Sequence, residues 1–135
     1  MIRVTVWNEN YHEKEIPEVT QLYPGGLHTY IAAYLNTLDG IEARTATLDE
    51  PECGLSDEVL ENTDVLIWWG HALHHQVPDE IAAKVVNRVL RGMGFIALHS
   101  AHYSKPFTRL MGTSCSLRWR DNEFERVWCV NPGHP

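Results

Sequence analysis

Long apolar runs are absent from this sequence. No segment approaches the roughly 18 consecutive apolar residues that a helix needs to cross a bilayer. The chain also does not open with a charged stretch followed by an apolar one. We therefore expect no membrane-spanning segment, no secretory leader and no membrane partner.

Cysteine is scarce as well. The 3 cysteines, Cys53, Cys115 and Cys129, are widely spaced, and no Cys-x-x-Cys pair occurs. An odd number of cysteines without paired spacing argues against a disulfide framework. We expect reduced thiols and a cytoplasmic protein.

Positive charge is in short supply. The sequence has 11 Lys and Arg residues against 18 Asp and Glu residues, for a net charge of −7. Nucleic acids and anionic membranes attract basic surfaces, so we expect no nucleic-acid partner. The length of 135 residues and the apolar content of 44% suffice for a buried core, and we predict a single domain over residues 1–135.

Strand-like and helix-like segments alternate along the chain. Period-two or wholly apolar patterns predict strands over 2–8, 41–48, 65–69, 95–98 and 124–130. Helical spacing and end signals predict helices over 25–38, 57–62, 78–90 and 105–111. The segment 9–24 is polar, contains two prolines and is expected to be irregular. This alternation predicts an α/β fold, with a parallel sheet covered by helices on both faces.

Histidines follow two of the predicted strands directly. His71 and His74 come after strand 65–69, and His99 and His102 come after strand 95–98. Ligands of open α/β sheets bind outside the carboxyl ends of the strands. If these two strands are parallel neighbours, the four imidazoles converge on one crevice.

Two chemistries fit these histidines. Catalytic zinc takes three histidine or carboxylate ligands and keeps a position for water, so we expect a divalent metal, zinc, held by His71, His74, His99 and His102. The alternative is nucleophilic: Ser100 stands where a nucleophile elbow would be, with His71 or His102 as its base, although the elbow's glycines are missing. The candidate catalytic residues are therefore His71, His99, Ser100 and His102. A purely structural use of these histidines, as partners of the backbone, stays open.

Other residues near the same edge are candidates for substrate binding. Asn8 ends the first strand, and His28 lies in the first turn of the first long helix. Trp69 could stack on a sugar ring, with packing in the core or at an interface as the alternative. Lys105 could meet a hydroxyl-rich ligand, with a plain surface position as the alternative. Asn8 and Glu9 could orient the substrate or a histidine, but a solvated loop charge is the expectation for Glu9.

Several phrases of the chain, in order, resemble the ThuA-like, trehalose utilization protein family. They are Thr45–Glu52, Trp68–His71, Leu98–Ser100 and Leu110–Cys115. The resemblance implies a flavodoxin-like, three-layer α/β/α sandwich of the class I glutamine amidotransferase-like superfamily. It also implies a role in sugar or disaccharide metabolism. Because members of the family usually continue further, it implies a chain truncated at its C-terminus.

Carried over residue by residue, the resemblance places the superfamily's nucleophile position at Ser100. No cysteine stands there, so glutamine hydrolysis by a thiol is not expected. The family's histidine positions fall on His28, His71, His74, His99 and His102, and all are kept.

The expected function is an enzyme acting on a carbohydrate or keto-sugar: a hydrolase, lyase or isomerase that uses a bound metal. The alternative is a non-catalytic sugar-binding or assembly module. A small-molecule carbohydrate is the expected partner in both cases, and no nucleotide cofactor is expected. Analogy with other flavodoxin-like proteins suggests a homo-oligomer.

Overall fold

Strands and helices alternate in the computed structural model, which describes residues 1–118, 120–124 and 126–133. The strands are β1 (Ile2–Asn8), β2 (Ile41–Thr47), β3 (Val65–Trp69) and β4 (Gly94–Ala97). The α-helices are α1 (His12–Glu15), α2 (Pro17–Leu22), α3 (Leu27–Leu35), α4 (Asp57–Glu61), α5 (Asp79–Leu90) and α6 (Lys105–Met111). Short 3-10 turns cover Pro51–Gly54, His74–Gln76 and His99–Tyr103.

The four strands form one parallel sheet in the order β2-β1-β3-β4. In this register Asn8 pairs with Trp69, and Trp68 pairs with Ala97. The carboxyl ends of β1, β3 and β4 therefore lie side by side. The predicted parallel sheet, with β3 and β4 as neighbours, is confirmed.

Apolar side chains pack on both faces of the sheet. On one face Val6 and Ile67 lie in a core cluster with Ala32 of α3. On the other face Leu66 and Trp68 share a larger cluster with residues of α4 and α5, namely Leu60, Ile81 and Val85. This burial on two sides explains why β3 is apolar at every position. The result is the three-layer α/β/α arrangement of flavodoxin-like folds.

Local signals set several helix ends as expected. The Ser56 hydroxyl accepts a hydrogen bond from the backbone N–H of Val59 at the start of α4, at 3.3 Å. Gly112 closes α6 in the left-handed region, with φ of 67°, where a side chain would be strained. The helices predicted over 78–90 and 105–111 are confirmed as α5 and α6.

Two predictions of secondary structure were wrong. The segment expected to be irregular contains α1 and α2, whose four and six residues are too short to show a helical period. The predicted strand over 124–130 includes Glu125, which lies outside the described residues, and its other residues form no strand. They are exposed, with Phe124 at 100%. Strand-forming side chains do not hold a strand without a paired neighbour and a face to bury.

Among the described helices, none combines the length and apolarity required to cross a membrane.

Replacement of Leu66 by Ala tests the core under β3. Leu66 is 0% exposed, so the truncation should leave a cavity and lower the free energy of unfolding by about 2–5 kcal/mol. Leu90 is 74% exposed at the end of α5, and Leu90→Ala should change it by less than about 0.5 kcal/mol. Urea unfolding measures both. Equal losses in the two variants would contradict this packing.

Candidate functional site

The carboxyl ends of β1, β3 and β4 carry the polar residues of the candidate site. Asn8 ends β1 and Glu9 follows it, His71 follows β3 after Gly70, and His99 and Ser100 follow β4. The parallel register brings these positions to one edge of the sheet. This is the place where open α/β sheets bind their ligands.

The hydroxyl of Ser100 lies between two imidazoles. Its Oγ is 2.7 Å from Nδ1 of His71 and 3.1 Å from Nδ1 of His99. Ser100 is 8% exposed, while both histidines are exposed. We refer to His71, Ser100 and His99 as the serine–histidine unit. A hydroxyl that joins two imidazoles can exchange a proton with either of them.

The turn after β4 is strained at His99 and not at Ser100. His99 has a φ of 33°, in the region that side chains other than glycine rarely adopt. Ser100 follows it inside the 3-10 turn His99–Tyr103. In a nucleophile elbow the strained residue is the nucleophile itself. His99, and not Ser100, therefore occupies the position that corresponds to the nucleophile of an elbow. Ser100 is held against the two imidazoles instead.

His74 and His102 flank the ring of Tyr103. The centroid of the Tyr103 ring lies 5.9 Å from that of His74 and 6.0 Å from that of His102. His102 donates from Nδ1 to the carbonyl of Cys115 at 2.7 Å, which leaves Nε2 as its basic atom when the ring is neutral. Burial lowers the pKa of His74; the carboxylate of Glu9 opposes this shift, and neighbouring imidazoles, first that of His71, add to it.

The four predicted metal ligands lie at the same edge, but their side chains are not grouped as a ligand set. Over the ranges that the structure describes, no three His, Cys, Asp or Glu side chains are placed to hold a metal ion. Nδ1 is hydrogen-bonded in His71, His99 and His102, so a metal would bind these three rings through Nε2. Zinc binding by these three residues and His74 stays a prediction, and the side chains as they lie do not fit it.

Glu9 is buried, and the expectation of a solvated loop charge was wrong. Only 2% of its surface is exposed. Its two carboxylate oxygens accept hydrogen bonds from the backbone N–H groups of Ala72, at 2.8 Å, and Leu73, at 2.9 Å. These donors are 63 and 64 residues further along the chain. The only sequence signal was the position of Glu9 directly after a strand end.

Asn8 connects Glu13 to His28. Its Oδ1 accepts from the backbone N–H of Asn10, and its Nδ2 donates to Oε1 of Glu13 at 2.7 Å. The same amide nitrogen lies 3.0 Å from Nδ1 of His28. Because an amide nitrogen only donates, Nδ1 of His28 accepts, and the ring hydrogen of the neutral imidazole is on Nε2. Burial lowers the pKa of His28, against the opposing charges of Glu13 and Glu50.

Glu13 and His12 were missed in the sequence, because α1 was not predicted. Glu13 is buried, and its Oε1 also accepts from the backbone N–H of Leu27 at 3.1 Å, at the start of α3. A carboxylate is favourable at this end of a helix. Oε2 of Glu13 has no hydrogen-bond partner in the described part of the chain. The His12 ring lies against that of His71, with centroids 5.2 Å apart.

The predicted substrate-binding residues differ in burial and in the contacts that they make. Asn8 and His28 are buried in the network above. Trp69 is half-buried at the end of β3, next to Gly70. Lys105 donates from Nζ to the carbonyl of Val77 at 2.6 Å and forms an ion pair with Asp79 at 3.0 Å. Its ammonium group therefore links α6 to the start of α5.

Acidification should destabilise the folded chain through His28. The folded state keeps the imidazole neutral below its ordinary pKa of 6.5, while the unfolded chain takes up a proton there. The stability is therefore full above pH 6.5 and falls as the pH drops from 6.5 towards the lower pKa of the folded state. His28→Asn keeps an acceptor and removes the titration, so its unfolding free energy should fall less between pH 7.5 and pH 5. Urea unfolding at the two pH values measures this. An unchanged pH dependence would contradict it.

Comparison with protein families agrees with the geometry. The sequence profile of the ThuA family, described as trehalose utilisation, matches residues 3–135. No curated protein matches the chain significantly. The match covers nearly the whole chain, and the parallel α/β sheet is the one expected for this class I glutamine amidotransferase-like family. The chain therefore belongs to the ThuA, or trehalose utilisation, family.

Proposed function

We propose that this ThuA family protein acts on a carbohydrate or keto-sugar by proton transfer at the serine–histidine unit. The observation that carries the proposal is the Ser100 hydroxyl, held within hydrogen-bond distance of His71 and His99. Imidazoles take up and release protons near neutral pH, and sugars present hydroxyl and carbonyl oxygens that need such groups.

Thiol chemistry is not part of the proposal. Cys53 is buried, and burial raises the pKa of its thiol, so it stays protonated near neutral pH. Cys115 and Cys129 lie in the segment after α6, and the turn after β4 carries His99 and Ser100 instead of a cysteine. The chain is therefore proposed not to hydrolyse glutamine in the manner of the amidotransferases.

A non-catalytic sugar-binding module is the second candidate. It is favoured by the way in which Nδ1 of His71, His99 and His102 is fixed by a hydrogen bond. Imidazoles held in this way suit the binding of sugar hydroxyls as well as proton transfer. The two candidates differ in turnover: the module binds the sugar and leaves it unchanged.

Ser100→Ala and His71→Ala test the proposed reaction. Turnover of trehalose or of its keto derivative, followed by NMR of the sugar, should fall at least about 10²-fold in both variants. His75→Ala removes an exposed imidazole from the same loop and should leave turnover unchanged. Calorimetric titration of the same sugars separates binding from reaction. Binding without turnover in the unmodified protein would overturn the catalytic proposal in favour of the binding module.

Metal analysis tests the zinc prediction separately. Purified protein that holds much less than one zinc per chain, and sugar binding that survives treatment with a chelator, would contradict the zinc prediction. Stoichiometric zinc that is lost in both His71→Ala and His99→Ala would instead support the metal-dependent version of the site.

A further inference from the structure

The carboxylate of Glu9 lies under the loop that follows β3. Its oxygens accept from two consecutive backbone N–H groups, those of Ala72 and Leu73, which come directly after His71. The backbone N–H of Glu9 in turn donates to the carbonyl of Trp69 at 3.2 Å. Glu9 thus contacts the chain on both sides of Gly70.

Glu9 is a buried anion held by amide groups and not by a cation. It is 2% exposed, and within the described ranges it forms no ion pair with a lysine, arginine or histidine. Burial of a carboxylate is costly unless its oxygens are hydrogen-bonded. Two charge-assisted hydrogen bonds to adjacent amides supply that compensation and also fix the direction of the loop backbone.

Gly70 allows the close approach that this arrangement needs. A Cβ at this position would lie 3.3 Å from Oε2 of Glu9 and 3.4 Å from Nδ1 of His74. Both distances are at or near the lower limit of ordinary carbon contacts. The absence of a side chain at Gly70 therefore lets the carboxylate and the His74 ring share the space above the end of β3.

We propose that Glu9 is the positioning residue of the serine–histidine unit. By holding the N–H groups of Ala72 and Leu73, it sets the position of His71, whose Nδ1 must meet the Ser100 hydroxyl across from β4. Glu9 acts through the loop and does not touch the reacting atoms. This inference rests on the proposed function of the unit and adds to it the group that keeps the unit assembled.

Glu9→Gln is the direct test, because the variant has nearly the same shape but replaces one acceptor oxygen with an NH₂ group. That group would face a backbone N–H, so one of the two loop contacts is lost. We expect large changes in the amide resonances of Ala72 and Leu73 and in the His71 ring nitrogen resonances, which report its bond to Ser100. Affinity for trehalose or its keto derivative should fall about tenfold or more, as small misplacements of site groups do.

Three further variants make the result specific. Glu9→Asp keeps the charge, but its side chain is too short to accept from both amides, so the His71 ring nitrogen resonances should not return to those of the unmodified protein. If Glu9→Gln does not fold, Glu9→Asp serves as the test in its place. Glu13→Gln changes the other buried carboxylate and should leave the Ala72 and Leu73 amides unchanged. Glu15→Gln, at an exposed position of α1, should leave the sugar affinity unchanged.

The outcomes separate this inference from the proposed function. A folded Glu9→Gln variant with an unchanged His71 signature and unchanged affinity would overturn the positioning role, as would full restoration by Glu9→Asp. If Ser100→Ala leaves the turnover and binding of both sugars unaltered, the proposed function itself fails. In that case the NMR signatures of Glu9→Gln still decide whether Glu9 places His71.

Discussion

The parallel pairing of β1 with β3 is the interaction on which the rest of the structure depends. Trp7 and Trp68, opposite each other in this register, stack with ring centroids 3.9 Å apart and planes 24° apart. The indole N–H of Trp7 also donates to the carbonyl of Cys53, which ties the sheet to the turn before α4. Because this pair is buried in the larger core, the strands cannot slip past each other without exposing two indoles. The alignment of Asn8 with Trp69 at the strand ends follows from it.

This alignment decides which groups can meet at the sheet edge. The carboxylate of Glu9 contacts the backbone N–H groups of Ala72 and Leu73 only because the ends of β1 and β3 lie side by side. β3 and β4 are also neighbouring parallel strands, and the loops that follow them bring His71 and Ser100 to hydrogen-bond distance. The polar edge is therefore a product of apolar packing further down the sheet. Side chains that lie far apart in the sequence become neighbours without any local motif.

Periodic segments could be predicted from the sequence, whereas non-local contacts could not. The apolar run of β3 and the spaced apolar residues of α5 predict a strand and a helix from the local sequence alone, because the period of the buried residues differs between the two structures. The helices α1 and α2 carry no such period; they are held by contacts such as the Thr20 hydroxyl on the carbonyl of Glu13, at 2.6 Å. The strand predicted over 124–130 had the right residue types but lacks a strand beside it among the described residues.

The candidate site shows the same division. The convergence of the histidine loops could be predicted, because parallel strands end at one edge. The Ser100 hydroxyl between two rings could not, since it depends on side-chain rotamers and on the unusual φ of His99. The burial of Glu9 depends on donors more than sixty residues away. Lys105 has the charge expected of a ligand-binding residue, but its partner Asp79 lies on a helix that only the fold brings near.

The single hydroxyl between His71 and His99 also has a consequence for how the two rings behave together. Ser100 has one hydrogen, so it can donate to only one of the two Nδ1 atoms. The other ring keeps its hydrogen bond only if it carries its own hydrogen on Nδ1, which leaves a lone pair on its Nε2 when that ring is neutral. The tautomers of two residues on different loops are therefore correlated. A change of hydrogen position on the β3 loop is transmitted to the β4 turn by the rotation of one O–H bond.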